Sequence, residues 1–303
     1  MPSLEVDVAG LRLRNPTILA SGVLGTTAPL MARVYEEGAG AVVTKSVGLE
    51  PRKGYPNPTL VEVQGGYLNA MGLANPGARE FSKEIREAKE GGVTVIGSVY
   101  GYTAEGYAKA AAIVESAGAD AIELNLSCPH VEETGVEIGT RPDLVSDVVR
   151  AVKGSISVPV FAKISASYPR TSELAKVIED GGGDGITAIN TMRAMAIDVE
   201  IRRPILSNLF GGLSGPAIKP IAVGCVYDVY ENVSIPILGA GGVTDWRDAV
   251  EFLLAGASGV QVGTAIASRD LGVFKEIQSG LEVYLSDNGF QSVREIVGLA
   301  HGE

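Results

Sequence analysis

The chain of 303 residues has few cysteines and histidines, two of each, and a single tryptophan. Cys128 and Cys225 are too few for a disulfide framework and make no Cys-x-x-Cys metal or redox pair, and His130 and His301 are too few for a His-based metal site. No metal site is expected. Basic residues are also in deficit: 25 Lys and Arg against 36 Asp and Glu give a formal charge of -11, which opposes attraction to a phosphate backbone and makes nucleic acid a poor partner. No N-terminal stretch is apolar and long enough for a leader or membrane anchor, since charges interrupt from Glu5 onward. A cytoplasmic, reducing location is expected. There is no linker, low-complexity tract or charge block, so one domain over residues 1–303 is the expectation.

What is present is an alternation of strand-like runs with helical stretches such as Ala78 to Glu90, Ala104 to Ala117, Pro142 to Lys153, Ser172 to Asp180 and Trp246 to Ala255. Strands are expected at Thr17 to Ala20, Ala41 to Thr44, Val93 to Gly97, Ala121 to Asn125, Val160 to Ile164, Gly185 to Ile189, Ile237 to Gly239 and Gly259 to Val262. Eight parallel strands joined by helices predict an α/β fold, a TIM (β/α)8 barrel. Leu4 to Val8 and Leu11 to Leu13 predict a hairpin around Ala9-Gly10 before it. Glycine phrases such as Ser116-Ala117-Gly118-Ala119-Asp120 recur where a helix would end, as helix C-caps. Three connections, Gly48 to Asn75, Pro129 to Arg141 and Met192 to Pro220, are longer than a barrel needs, and all follow strands on the rim that carries active sites.

The chemistry gathers on that rim. Ala121-Ile122-Glu123-Leu124-Asn125-Leu126-Ser127-Cys128-Pro129-His130 turns from an apolar run into reactive side chains. Cys128 sits where a barrel delivers catalytic groups, and a thiolate is a nucleophile or general base. His130 is too near in sequence to make the Cys/His pair of a cysteine hydrolase, and Cys225 reads as a helix core position. Lys45 and Lys163 end apolar strands, where a lysine needs an anionic partner: a ligand, or a carboxylate such as Glu123. Amides at Asn69, Asn125 and Asn190-Thr191 converge from separate stretches, and converging amides can read the alternating N–H and C=O edge of a pyrimidine ring. Gly239-Ala240-Gly241-Gly242-Val243-Thr244 lacks the third glycine of a dinucleotide fingerprint. Following the seventh strand, and joined by Gln261-Val262-Gly263-Thr264-Ala265 after the eighth, it occupies the usual phosphate position of a barrel, a reading favoured over tight turns that merely need glycine.

Thr44-Lys45-Ser46, Asn69-Ala70-Met71-Gly72-Leu73-Ala74-Asn75, Asn125-Leu126-Ser127-Cys128-Pro129, Asn190-Thr191 and Gly211-Gly212-Leu213-Ser214-Gly215-Pro216-Ala217-Ile218-Lys219-Pro220 resemble class 1 dihydroorotate dehydrogenases. The resemblance runs nearly end to end and is nearest to class 1B, the NAD-linked catalytic subunit. It implies FMN across the barrel mouth, contacted by Ser21, Lys45, Ser46, Asn125, Lys163, Ile189, Gly215, Gly241, Gly242, Gly263 and Thr264. It implies dihydroorotate held by Lys45, Asn69, Met71, Gly72, Leu73, Asn125, Asn190 and Thr191, with Cys128 as the base that removes the C5 proton. Lys45 offsets the substrate carboxylate, and Lys163 lies near flavin N1 and O2. The partners implied are a homodimer core and an iron-sulfur flavoprotein subunit, which would carry FAD and the cluster and pass electrons to NAD in pyrimidine (UMP) biosynthesis. Two positions depart from the family: Ser98 stands where an Asn commonly touches FMN, and Gly224 where a basic residue is common.

Other readings compete. A dihydropyrimidine dehydrogenase-type barrel shares the Asn-Leu-Ser-Cys-Pro-His run but acts on uracil or thymine, and a fumarate-linked class 1A enzyme needs no partner. A dihydrouridine synthase conflicts with the acidic balance, and a non-catalytic barrel with the joint presence of Lys45, Cys128 and Lys163.

Overall fold

The computed structural model describes residues 1–126, 138–166 and 170–302. Along the chain, β1 (Val6–Val8) and β2 (Leu11–Leu13) are followed by β3 (Thr17–Leu19), α1 (Ala28–Glu36), β4 (Ala41–Val43), β5 (Leu60–Val63), β6 (Gly66–Asn69) and α2 (Ala78–Glu90). Then come β7 (Val95–Val99), α3 (Ala104–Ser116), β8 (Ala121–Asn125), α4 (Pro142–Lys153), β9 (Val160–Ile164), α5 (Thr171–Asp180) and β10 (Gly185–Ala188). An excursion holds β11 (Met192–Ala194), β12 (Ile197–Asp198), β13 (Arg203–Pro204) and β14 (Gly211–Ser214). The chain returns through α6 (Lys219–Tyr230), β15 (Ile237–Ala240), α7 (Trp246–Leu254), β16 (Gly259–Val262), α8 (Ile266–Arg269) and α9 (Val273–Asp287).

Eight of these strands close a parallel barrel in the order β10-β15-β16-β3-β4-β7-β8-β9, as the alternation predicts. Their residues are almost all buried, because helices cover the outside and side chains fill the inside. Local chemistry sets the helix starts. Thr103 accepts the Gly106 N–H at 3.1 Å ahead of α3, Pro142 opens α4, and Asp245 and Asp248 form a capping box on α7. The β1–β2 hairpin turns through Ala9 and Gly10, both at positive φ, and buries Val6, Val8, Leu11 and Leu13 in the main core.

The end where strands begin is tied down by a repeated clamp. Lys89 at the end of α2 meets Asp120 at 2.6 Å, and Asp120 also accepts the Val95 N–H; Lys153 at the end of α4 meets Asp184 at 2.6 Å, and Asp184 accepts the Val160 N–H. Gly118 and Gly182 beside these aspartates have positive φ, as C-capping glycines do. The opposite end is elaborated instead. The long connections after β4 and β10 pair into one sheet, order β11-β14-β6-β5, with a small core of Leu68, Ala70 and Leu206 of its own. Sequence periodicity does not reveal this sheet, because its strands are short and β6 pairs with β14 from far along the chain. The connection from Pro129 to Arg141 lies mostly outside the described residues.

Among the barrel strands β7 departs most from expectation, the others by at most one residue at an end: it begins at Val95 rather than Val93, since Gly92 at φ +77° and the Val93 N–H bond to Ala88 still belong to the exit of α2. It also ends later, at Val99, so Ser98 lies inside the strand and not after it. Among the described residues no helix is long and apolar enough to cross a membrane.

Candidate active site at the barrel mouth

Three hydroxyls and two amides link across the mouth. Ser46 Oγ lies 2.8 Å from Ser98 Oγ and 3.3 Å from Ser21 Oγ, and accepts Asn125 Nδ2 at 3.1 Å. Asn125 Oδ1 in turn accepts Asn190 Nδ2 at 3.2 Å, and Asn190 Oδ1 accepts the Thr191 N–H at 2.7 Å. This chain joins the ends of β3, β4, β7, β8 and β10, so residues far apart in sequence share one surface. Each neutral bond contributes only about 0.5–1.5 kcal/mol net, but together they fix the amides in orientation. Asn125 and Asn190 each keep donor or acceptor capacity beyond these bonds.

Ser98 is fully buried, and its hydroxyl lies against that of Ser46. Ile189 and Gly215 are also buried. Cys128 and His130 lie outside the described residues. Cys225 is half-buried on α6 and packs against the core, and burial pushes its thiol pKa up. Gly224 faces open space on the exposed side of that helix, and nothing in the structure explains the departure there.

The two lysines meet different surroundings. Lys163 donates to Gln261 Oε1 at 2.8 Å and pairs with Glu123 Oε1 at 3.4 Å, so the carboxylate partner allowed by the sequence is present. Glu123 is fully buried and also accepts Gln261 Nε2 at 2.6 Å and Thr187 Oγ1 at 3.0 Å. Gln261 and Thr187 escaped sequence reasoning, although a polar residue at an interior position of an apolar strand is a usable signal. Register places Asn125 and Thr187 beside Lys163 on the neighbouring strands, at the level of the rim amides. Lys45, just past β4, is half-buried, and its Nζ has no hydrogen-bond or ion-pair partner among the described residues. Burial alone pushes its pKa down. An anion is what this ammonium lacks.

Backbone donors complete the mouth. Gly72 and Leu73 have φ of +67° and +55°, and the amides of Met71, Gly72 and Leu73 donate to nothing among the described residues. Their loop is pinned from outside: Arg52 Nε donates to Gly72 O at 2.8 Å, and Asn75 Nδ2 donates to Leu73 O at 2.7 Å. Asn75 is thus a loop anchor. Asn69 Nδ2 donates to Gly212 O at 3.2 Å and ties β6 to β14. On the far side, the Gly242, Gly263 and Thr264 amides are likewise without partners among the described residues. A Cβ on Gly242, at φ +79°, would come within 2.8 Å of Gly215 O, and one on Gly215 within 3.4 Å of Thr264 Cγ2. The glycines let three turns converge, and the convergence leaves free donors around one small space.

The dihydroorotate dehydrogenase family profile matches residues 3–285 of this chain. The chain belongs to the dihydroorotate dehydrogenase family. It is 52% identical over 299 residues, 98% of this chain and 99% of the relative, to the protein of Pyrococcus abyssi named dihydroorotate dehydrogenase B (NAD(+)), catalytic subunit. Relatives of the same name from Methanothermobacter thermautotrophicus, 53% identical with 98% of each chain covered, and Thermoplasma volcanium, 46% identical with 99% of each covered, agree. The class 1B resemblance of the rim motifs is borne out by these full-length matches, and the eight-stranded barrel fits the dihydroorotate dehydrogenase family fold.

Proposed function

We infer that this protein is the single-domain catalytic subunit of an NAD-linked dihydroorotate dehydrogenase, oxidising dihydroorotate to orotate in pyrimidine biosynthesis. The observation that carries the reading is Lys45: a half-buried ammonium without a counter-charge among the described residues, on the same rim as the free amides of Met71, Gly72 and Leu73. Together they suit the substrate carboxylate, which uracil and thymine lack. Asn69, Asn125, Asn190 and Thr191 orient the ring through their remaining donors and acceptors.

The residues present suit FMN, the cofactor of this family. The Gly242, Gly263 and Thr264 amides, with Gly241 and Gly215 shaping the turns, fit its phosphate. Ser21, Ser46, Asn125, Ile189 and Lys163 would hold the rest of the cofactor. When bound, FMN supplies the acceptor for the C6 hydride. Cys128 takes the C5 proton, acidified by the neighbouring carbonyl, and loss of both hydrogens leaves the C5=C6 double bond of orotate. Lys45 holds the carboxylate while the amides keep the ring in register, so that both hydrogens leave from a fixed pose.

The relatives' shared name supports passage of electrons to NAD through a second subunit. Two cysteines in the whole sequence cannot ligate an iron-sulfur cluster, so we place the cluster and FAD on that partner. The exposed Ile197, Val199 and Ile201 on the β12–β13 ribbon support a homodimer core, because a subunit contact would cover that apolar row. A cytoplasmic location belongs to the same reading, since a catalytic thiol must stay reduced.

The test is anaerobic addition of dihydroorotate, and separately dihydrouracil, to the purified FMN-loaded protein while following the visible flavin absorbance. Bleaching by dihydroorotate alone is expected. Bleaching by dihydrouracil alone would transfer the assignment to a dihydropyrimidine dehydrogenase-type activity.

A further inference from the structure

Behind the turn that follows β15 lies a charged cluster that the reaction does not use. Asp248, on the first turn of α7 and 8% exposed, directs one carboxylate oxygen at that turn: Oδ2 accepts Thr244 N at 2.8 Å, Thr244 Oγ1 at 2.5 Å and Asp245 N at 3.2 Å. Its other oxygen accepts Lys219 Nζ at 2.7 Å, and Lys219 also donates to Glu251 at 2.6 Å. Lys219 opens α6, and its Cβ would lie 2.8 Å from a Cβ on Gly242. Against burial, which raises it, the bonds from Lys219 and Thr244 bring the Asp248 pKa down, and both carboxylates push the Lys219 pKa up.

We propose that Asp248, latched by Lys219, is a positioning residue that shapes the Gly241–Thr244 turn for a phosphate monoester. This rests on the reading above that FMN occupies the mouth. The physical basis is a division of labour among the turn's donors. Asp248 takes the Thr244 and Asp245 amides through charge-assisted bonds, which are stronger than neutral ones, and leaves the Gly242 amide on the same turn free. Lys219 is engaged by two carboxylates and held at the outer side of the turn. Its role is to fix the carboxylate, while neutral backbone donors meet the anion. Capping of α7 by Asp245 and Asp248 explains the helix start, but it does not need the Lys219 contact or the Thr244 hydroxyl.

The experiment compares FMN with riboflavin, which lacks only the phosphate. The flavin is released from purified holoenzyme, and each is titrated back by fluorescence for the native protein, Asp248→Asn and Lys219→Met. Wild-type protein is expected to bind FMN far more tightly than riboflavin. Asp248→Asn is expected to weaken FMN about tenfold, the loss of one well-placed charge-assisted bond, while riboflavin changes by less than about twofold. Lys219→Met, which leaves the Thr244 contacts in place, is expected to do the same to a smaller degree. Equal weakening of both flavins, or unchanged FMN affinity, in the two variants overturns the proposal. A native protein that binds riboflavin as tightly as FMN would instead remove the phosphate cradle itself, whatever the variants do.

Discussion

Replacing Lys163 with Met tests the interior of the barrel most directly. Lys163 is the only cation that the described residues place beside Glu123, and both side chains are withdrawn from water, at 9% and 0% exposure. In Lys163→Met the Glu123 carboxylate keeps its bonds from Gln261 and Thr187 but loses its counter-charge. Breaking a buried pair at one end costs about 3–5 kcal/mol, because the remaining charge stays desolvated. At roughly 2.1 cal/mol/K of unfolding entropy per residue, a chain of this length loses about 1.6 °C per kcal/mol, so Tm should fall by about 5–8 °C. The assay is a thermal scan of flavin-free protein at one scan rate, so that lost cofactor binding does not enter. Adding Glu123→Gln to the same chain removes the orphan charge and should restore most of the loss. A single variant within about 1 °C of the parent, or a double variant as damaged as the single, would refute the reasoning.

Two further outcomes follow from the mouth. Because burial lowers the Lys45 pKa, the folded state binds fewer protons there than the unfolded state on the alkaline side, so this group favours folding more as pH rises toward the ordinary lysine range. Orotate binding needs the charged form and should weaken as pH climbs through that lowered pKa; Lys45→Met should bind orotate at least tenfold more weakly and without this alkaline dependence, as read by the flavin spectral change. Cys128→Ser should slow flavin reduction by dihydroorotate by about 10²-fold or more, since a general base contributes about 10²–10⁴-fold. The native rate should rise from neutral toward a thiol pKa near 8.5, and a profile flat across that range in stopped-flow measurements would argue against the thiol as base.

Much of this molecule is legible locally. Each barrel strand announces itself as an apolar run because both of its faces are buried, and most of the crossover helices are closed by a glycine, so the eight strands can be counted from the sequence. Lys45, Lys163 and Asn125 were visible for the same reason: a polar residue ending an apolar run has to be spent on something. Such patterns repeat within a few residues, and short-range sterics and burial alone impose them.

What only the tertiary structure decided depends on residues meeting from far apart. The pairing of β6 with β14 builds a rim sheet that neither segment forms alone, since short strands need partners to satisfy their backbone groups. The contact of Ser98 with Ser46 is also set by the fold, because it needs β7 beside the end of β4. The difference between the lysines is likewise not local: Lys163 finds Glu123 and Gln261 on other strands, while Lys45 finds no anionic group among the described residues. A sequence determines which charges are buried, but the three-dimensional register of the strands determines which of them are answered. That difference in desolvated, unpaired charge separates a structural lysine network from a site awaiting an anion.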